Sequence, residues 1–387
     1  MLVTAADRPF DVIVFGATGF AGRLTAEYLA RTAPAQCRWA VAGRSAAKLD
    51  RLRAELHRPD LPVVTADVAD DASVRSLAES TRVLITTVGP YVLYGDAVVA
   101  ACAAAGTDYL DLTGEPEFVD TSYVRHHATA LRSGARLVHA AGFDSIPHDL
   151  GAYFTVAQLP AGVPLSVAGY VRGSMMISGG TFATMLTGAS RVRQNVAAMR
   201  ARRAIEPRGG RRVVARAGRV GRDPVDGGWV VPFPSLDPQI VGRSARAMER
   251  YGPDFRYAHH VSVPHLYQAG GLAVGVAALA GAAQLPPARR ALQKRLAPGD
   301  GPSAARRARS WFTVTFVGEG GGARVVTRVS GGDPGYDETA KMLGESALCL
   351  AFDELPETAG QVTTATAMGD ALIDRLRKAG IGFEVIG

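Results

Sequence analysis

The chain has 387 residues, 47% of them hydrophobic, with a net charge of +7. That is ample for the cores of one large or two ordinary domains. Cys37, Cys102 and Cys349 are scattered with no CxxC pair, which argues against structural zinc and for a reducing cytoplasm. Residues 1–10 carry no apolar signal core, and no run of ~20 apolar residues suits a membrane span. The nearest approach, Ala269–Leu285, reads as a buried helix or apolar wall, with a membrane-surface contact as the alternative.

In chain order, strands are expected at 11–15, 38–42, 62–66, 82–88, 108–112 and 135–140. Helices are expected at about 19–31, 45–56, 70–79, 95–105, 116–132 and 147–158. Short apolar runs alternating with helical patterns predict a doubly wound parallel α/β sheet of the Rossmann type. Its ligands belong at the carboxyl edge of the strands.

The first strand runs into Phe15-Gly16-Ala17-Thr18-Gly19-Phe20-Ala21-Gly22-Arg23. Gly16 makes the tight turn, Gly19 lets the backbone approach a pyrophosphate, and Gly22 lets the helix pack closely. The spacing, GxxGxxG, is one step off the usual fingerprint, but its place between strand and amphipathic helix predicts dinucleotide binding. After the second strand comes Gly43-Arg44-Ser45, where an NAD site usually has an acid. Arg44, Ser45 and Lys48 instead suit a 2′-phosphate, so NADPH is expected over NADH. Asp67, after the third strand, is read either as an adenine neighbour or as a helix cap.

Val88-Gly89-Pro90-Tyr91 ends the fourth strand, where the loop passes towards the nicotinamide. Tyr91 and Tyr94 are read as proton or hydrogen-bond donors, or as amphipathic wall residues. Glu115, after the fifth strand, either contacts the cofactor or starts the next helix. Asp144 and Ser145, after the sixth, are read either as a capping pattern before Pro147 or as residues that orient cofactor ribose and substrate. Ser178, Gly179, Gly180 and Thr181 open a further helix, whose N–H groups suit an anion or a thioester oxygen.

Beyond about residue 160 the pattern becomes α+β, with mainly antiparallel strands. Val167–Val171 reads as a strand, Thr181–Ala201 as a helix, and 205–235 as an Arg-, Gly- and Pro-rich stretch. Trp311–Val317 and Arg324–Val329 form a hairpin through Gly318–Gly322. Tyr336–Phe352 and Ala367–Ala379 are helices, and Phe383–Ile386 is a short strand. The expected division is 9–160 for the dinucleotide domain, 161–355 for the second domain, and 356–387 for a helix and strand returning to the first. His259, His260 and His265 cluster without an acid or thiol nearby, so no metal site is assigned.

Eleven arginines and a single acid, Glu206, lie between Arg191 and Arg222. This local patch is read either as a solvated face or as a dock for an acidic carrier protein or anionic membrane. Nucleic acid is not expected, because the segment has no stacking aromatics. The oligomeric state is left open, a homodimer included.

Several segments together resemble the saccharopine dehydrogenase-like oxidoreductases, and among them the bacterial trans-acting enoyl reductases of lipid and polyketide assembly. They are Gly16–Phe20, Ala42–Ser45, Thr87–Tyr91, Tyr94-Gly95, Cys102 through Glu115, Gly142–Pro147, Ser178–Thr181, Gly332–Tyr336 and Ala367–Asp370. His148 departs from the small polar residue usual there, and 202–228 is shortened and Arg-rich. The resemblance implies a second domain inserted in the Rossmann domain. It also implies NADPH-dependent reduction of a C=C bond conjugated to a carbonyl, in an acyl or polyketide thioester. Two other readings stand beside it. An imine reductase or C–N bond-forming enzyme would need Arg172 or Arg243 in the pocket. A non-catalytic NADPH-binding sensor or membrane-surface protein would bind cofactor without turnover.

Overall fold

The computed structural model describes residues 8–174, 188, 190–207, 209–232, 235–285, 287 and 302–387. The first half alternates β1 (Phe10–Phe15), α1 (Phe20–Thr32), β2 (Trp39–Gly43), α2 (Ala46–Glu55), β3 (Val63–Thr65), α3 (Asp71–Glu79) and β4 (Thr81–Thr86). It continues with α4 (Tyr91–Tyr94), α5 (Asp96–Ala105), β5 (Asp108–Asp111), α6 (Pro116–Ser133), β6 (Arg136–Val138) and α7 (Ile146–Ala157). All pair in parallel, in the order β6-β5-β4-β1-β2-β3. Val12, Ile13, Val14, Val41, Leu84 and Ile85 are fully buried, as expected for strands covered on both faces.

The second half builds a mixed eight-stranded sheet. Its elements are β7 (Leu165–Gly173), α8 (Val192–Ile205), β8 (Arg212–Ala217), β9 (Gly221–Arg222), β10 (Trp229–Pro232), α9 (Asp237–Ala247), β11 (Asp254–Val263) and α10 (Leu266–Gln284). Then follow α11 (Ala304–Arg307), β12 (Phe312–Gly320), β13 (Ala323–Gly331), α12 (Asp337–Phe352), β14 (Gly360–Val362), α13 (Thr364–Ala367), α14 (Gly369–Lys378) and β15 (Gly382–Val385). Most pairings are antiparallel, but β11 runs parallel to both β7 and β8. The hairpin β12–β13 is longer than its apolar runs suggest. Gly318–Gly320 stays paired, and the turn is Gly321-Gly322 at φ +57° and +79°, the geometry a two-residue hairpin favours.

The chain crosses back twice, in ways the expected division does not capture. α12 packs on α1, β4 and β5, so this helix covers the first sheet although it falls within 161–355. β14, three residues long and not foreseen, pairs with β6 and completes a seven-stranded sheet. β15 pairs with β13, so the last strand joins the second sheet rather than returning to the first. The stretch 205–235 contains β8, β9 and β10, short strands whose Arg and Gly content hides their alternation.

α10 corrects another expectation. It is not a buried helix: Leu266, Tyr267, Val274 and Leu285 are exposed, and Ala269 and Ala283 are its buried hydrophobic residues among those described. It is the one helix among the described residues long and apolar enough to cross a membrane.

The close fit of α1 to β1 rests on Gly22, where an added Cβ would stand 2.3 Å from the Gly16 carbonyl oxygen. Backbone cannot yield as a flexible side chain does. Gly22→Ala is therefore expected to cost about 1–3 kcal/mol of stability and to abolish dinucleotide binding. Thermal unfolding with and without NADPH checks both, the ligand-induced rise in Tm vanishing in the variant.

Candidate active site

The glycine-rich turn is built as a cradle. Gly16, at φ +85°, turns the chain, and its N–H and that of Ala17 donate to Ala42 O at 2.9 and 3.2 Å. Thr18 and Gly19 are exposed. Gly19 occupies the N-cap of α1 without any side-chain cap, and the first turn carries no acid. The first-turn N–H groups thus face the carboxyl edge unclaimed by a cap, which suits a phosphate. Thr87 Oγ1 donates to Gly16 O at 3.1 Å, and a Cβ on Gly16 would meet Val88 Cγ2 at 2.8 Å. The loop after β4, with Val88, exposed Gly89 and Pro90, therefore lies directly against the cradle.

At the end of β2, Arg44 and Lys48 are exposed. Ser45 caps α2, its Oγ accepting from Lys48 N at 3.4 Å, and its hydroxyl proton is left for another acceptor. Gly43 packs within 3.9 Å of Thr18 Oγ1 across an added Cβ, which sets the start of α2 beside the cradle. The missing acid and the exposed guanidinium thus occupy one place. Asp67 does not cap a helix. One oxygen accepts from Ala69 N at 3.0 Å, closing its own turn, while Asp70 caps α3.

The two tyrosines separate. Tyr91 is buried at 6% exposure, with its hydroxyl donating to Thr86 O and accepting from Leu112 N, both at 3.2 Å. Burial holds this phenol well above its ordinary pKa. Its two hydrogen bonds tie β4 to the loop after β5, so it has no proton to offer a substrate. Tyr94 is 46% exposed. Glu115 does not start α6 through its side chain. It reaches across to cap α4, accepting from Tyr91 N at 3.0 Å and Val92 N at 2.7 Å.

Asp111 was not foreseen. Its buried carboxylate accepts from Thr113 N at 3.0 Å, Ala140 N at 2.8 Å and the Tyr109 hydroxyl at 2.9 Å, and meets His139 Nδ1 at 2.6 Å. No spacing rule points to it, because two of its partners, His139 and Ala140, lie 28 and 29 positions further along the chain.

Asp144 is solvent-exposed at the carboxyl edge of the sheet, yet its carboxyl is crowded by protein atoms. Its Oδ2 lies 3.3 Å from where a Cβ on Gly114 would stand, which brings the loops after β5 and β6 together. Burial, then the neighbouring charge of Asp237, push its pKa up to about 7. Ser145 does not cap α7. It is fully buried, and its hydroxyl donates to Asp237 Oδ1 at 3.3 Å, which withdraws it from any substrate. The Gly332–Tyr336 segment closes the site from the second half. Tyr336 meets Phe20 edge-on at 4.7 Å, and Thr339 Oγ1 accepts from Phe143 N at 3.1 Å. Ser178, Gly179, Gly180 and Thr181 lie outside the described residues.

The arginines singled out elsewhere are mostly engaged. Arg172 pairs with Asp226 at 3.0 Å, and buried Arg243 lies over the Tyr123 ring. In the basic segment Arg191 holds Glu117, Arg202 holds Asp120 and Glu206, and Arg211 donates to two backbone carbonyls. Arg193, Arg200, Arg203, Arg216 and Arg219 stay exposed.

Residues 12–141 match the sequence profile described as the saccharopine dehydrogenase NADP binding domain. A trans-acting enoyl reductase of Mycobacterium ulcerans is 36% identical over 414 residues, covering 98% of both chains. A Mycobacterium tuberculosis protein bearing the same name in provisional form is 40% identical over 99% of both. The apo saccharopine dehydrogenase (L-Glu forming) of Saccharomyces cerevisiae superposes with a TM-score of 0.58 at 13% identity, over 98% of this chain and 100% of that one, which shows the shared fold. With end-to-end relatives at this identity and the NADP-binding segment 12–141 matched, the chain belongs to the saccharopine dehydrogenase-like oxidoreductases, in the branch of the trans-acting enoyl reductases, and is an NADP-dependent oxidoreductase.

Proposed function

We propose that the protein reduces the C=C bond of an α,β-unsaturated acyl or polyketide thioester, with Asp144 as the proton donor. The observation that carries this reading is Asp144 itself, a solvent-exposed carboxyl at the carboxyl edge of the sheet, its Oδ2 3.3 Å from where a Cβ on Gly114 would stand and its pKa raised to about 7. Bound NADPH supplies a hydride to the β-carbon. The chain's part is to hold the pyrophosphate on the first turn of α1, to grip the 2′-phosphate with Arg44, and to deliver a proton to the α-carbon. A carboxyl half protonated near neutrality suits that delivery. The engaged Arg172 and Arg243 leave no obvious seat for the carboxylate of an imine-reductase substrate.

The thioester is proposed to arrive on an acidic carrier protein. Arg193, Arg200 and Arg203 fall on neighbouring faces of α8 and remain exposed, with Val192 and Val196 exposed among them. A homodimer, a membrane contact through exposed α10, and residence in the reducing cytoplasm, which suits three free buried cysteines, complete the proposal.

Arg44→Ala is expected to weaken NADPH binding about 10–100-fold, as for loss of a charge-assisted hydrogen bond, and to leave NADH unchanged. Cofactor titration reads both. Asp144→Asn is expected to lower kcat by about 10²–10⁴-fold with the Kd for NADPH preserved. In the wild type the acid form is the active one, so kcat falls as pH rises through about 7. The Asn variant loses that limb, and a residual rate with an unchanged limb would rule Asp144 out. Reversing charge at Arg193, Arg200 and Arg203 together should raise KM for carrier-bound substrate while leaving a small thioester unaffected. Equal effects on both substrates would count against docking there.

A further inference from the structure

Three side chains that share no stretch of sequence converge next to Ser145. His148 comes from the first turn of α7, Asp237 from the first residue of α9, and His259 from β11. Their donor atoms all lie within 4.8 Å of one another. His148 Nδ1 stands 3.3 Å from Asp237 Oδ1, and His259 Nε2 stands 3.4 Å from Asp237 Oδ2. Exposures are 2%, 4% and 1% in chain order.

Both ring nitrogens of His148 are buried without a hydrogen-bond partner, although Nδ1 points close to a carboxylate. An imidazole sealed in this way is costly unless something fills the gap. The two measured separations, each to a different Asp237 oxygen, are close to the roughly 3.3–3.4 Å between ligand atoms of a tetrahedral site, and the full set lies within 4.8 Å, a span that small side-chain movements would close around an ion. The surroundings fit as well. Tyr257 OH lies 3.1 Å from His259 Nδ1, so the other ring nitrogen, Nε2, is left for a ligand bond. Ser145 and Ser235 hydroxyls donate to the two Asp237 oxygens at 3.3 and 2.5 Å.

We infer that His148, Asp237 and His259 form a site for a divalent transition ion of the zinc class. Two imidazoles and one carboxylate provide three donors and leave one tetrahedral position for a water. The ion ties α7 to α9 and β11. Its positive charge compensates a carboxylate that burial otherwise disfavours.

The test uses the full chain with any affinity tag removed. Elemental analysis of the purified protein should find about one zinc-class ion per chain. After chelator stripping, Co²⁺ titration should give visible d–d absorption saturating at one equivalent, and Zn²⁺ should raise Tm. Asp237→Asn and His148→Ala should abolish both, with circular dichroism reporting whether each variant is folded. Tyr257→Phe, which keeps the ring, should weaken Zn²⁺ binding by about 10–100-fold. A wild-type chain that carries no metal and binds neither Zn²⁺ nor Co²⁺ after stripping overturns the inference, whatever the variants do. So does binding that persists in folded Asp237→Asn and His148→Ala.

Discussion

The carboxyl edge of the sheet depends on the buried carboxylate of Asp111. A carboxyl group at 0% exposure is tolerable only when its oxygens are hydrogen-bonded, and this one meets a backbone N–H from its own loop, another from Ala140, the Tyr109 hydroxyl and His139. The consequence is geometric. The end of β5 and the residues just after β6 are bound to one group, and Ala140 is held at φ 57°, in the left-handed region that a non-glycine residue rarely enters. From these fixed points the chain leaves towards Gly114 on one side and Asp144 on the other. The proposed proton donor is thus positioned by a group that touches no substrate.

The same economy recurs at the next strand. Glu115 spends both oxygens on the N–H groups of Tyr91 and Val92, and Tyr91 spends its hydroxyl on Thr86 and Leu112. Polar side chains beside the cleft are therefore occupied in holding loops. What remains available among the described residues includes backbone at the glycine turn, the exposed Arg44, Lys48 and Tyr94, and the Asp144 carboxyl. Binding is carried mainly by main-chain N–H groups and a cation, and protonation by one acid.

How much of this was legible in the sequence follows from how local each feature is. The glycine turn, the missing acid before Arg44 and the alternation of the first sheet are encoded within a few residues, and each reads directly. Ser145 and Glu115 read as helix-start residues by position, but their side chains serve partners far along the chain, Asp237 and the α4 backbone. β14 is too short to carry a period, and β15 reveals its partner sheet only through register with β13. α10 reads as buried because its composition is apolar, yet its exposure depends on what packs against it. His148 stood out as an odd residue, and His259 as one of a cluster lacking an acid. The acid is Asp237, 89 positions after the first and 22 before the second, a separation no motif spans.

Asp144 shows which physical effect prevails at the carboxyl edge. It lies just ahead of α7, but the first-turn N–H groups there are already engaged, Ile146 N with Gly142 O at 2.9 Å and His148 N with Ser145 O at 3.1 Å, and Pro147 has none. Its pKa rises to about 7, because crowding by protein atoms and the charge of Asp237 both disfavour the ionised form. Of these two, crowding is the larger cause, and it is set by the meeting of the Gly114 and Gly142 loops. Any change that opens that meeting would return Asp144 to an ordinary carboxylate, ionised at neutral pH and useless as an acid. The tightness of the loops fixed by Asp111 and the chemistry proposed for Asp144 are therefore one constraint.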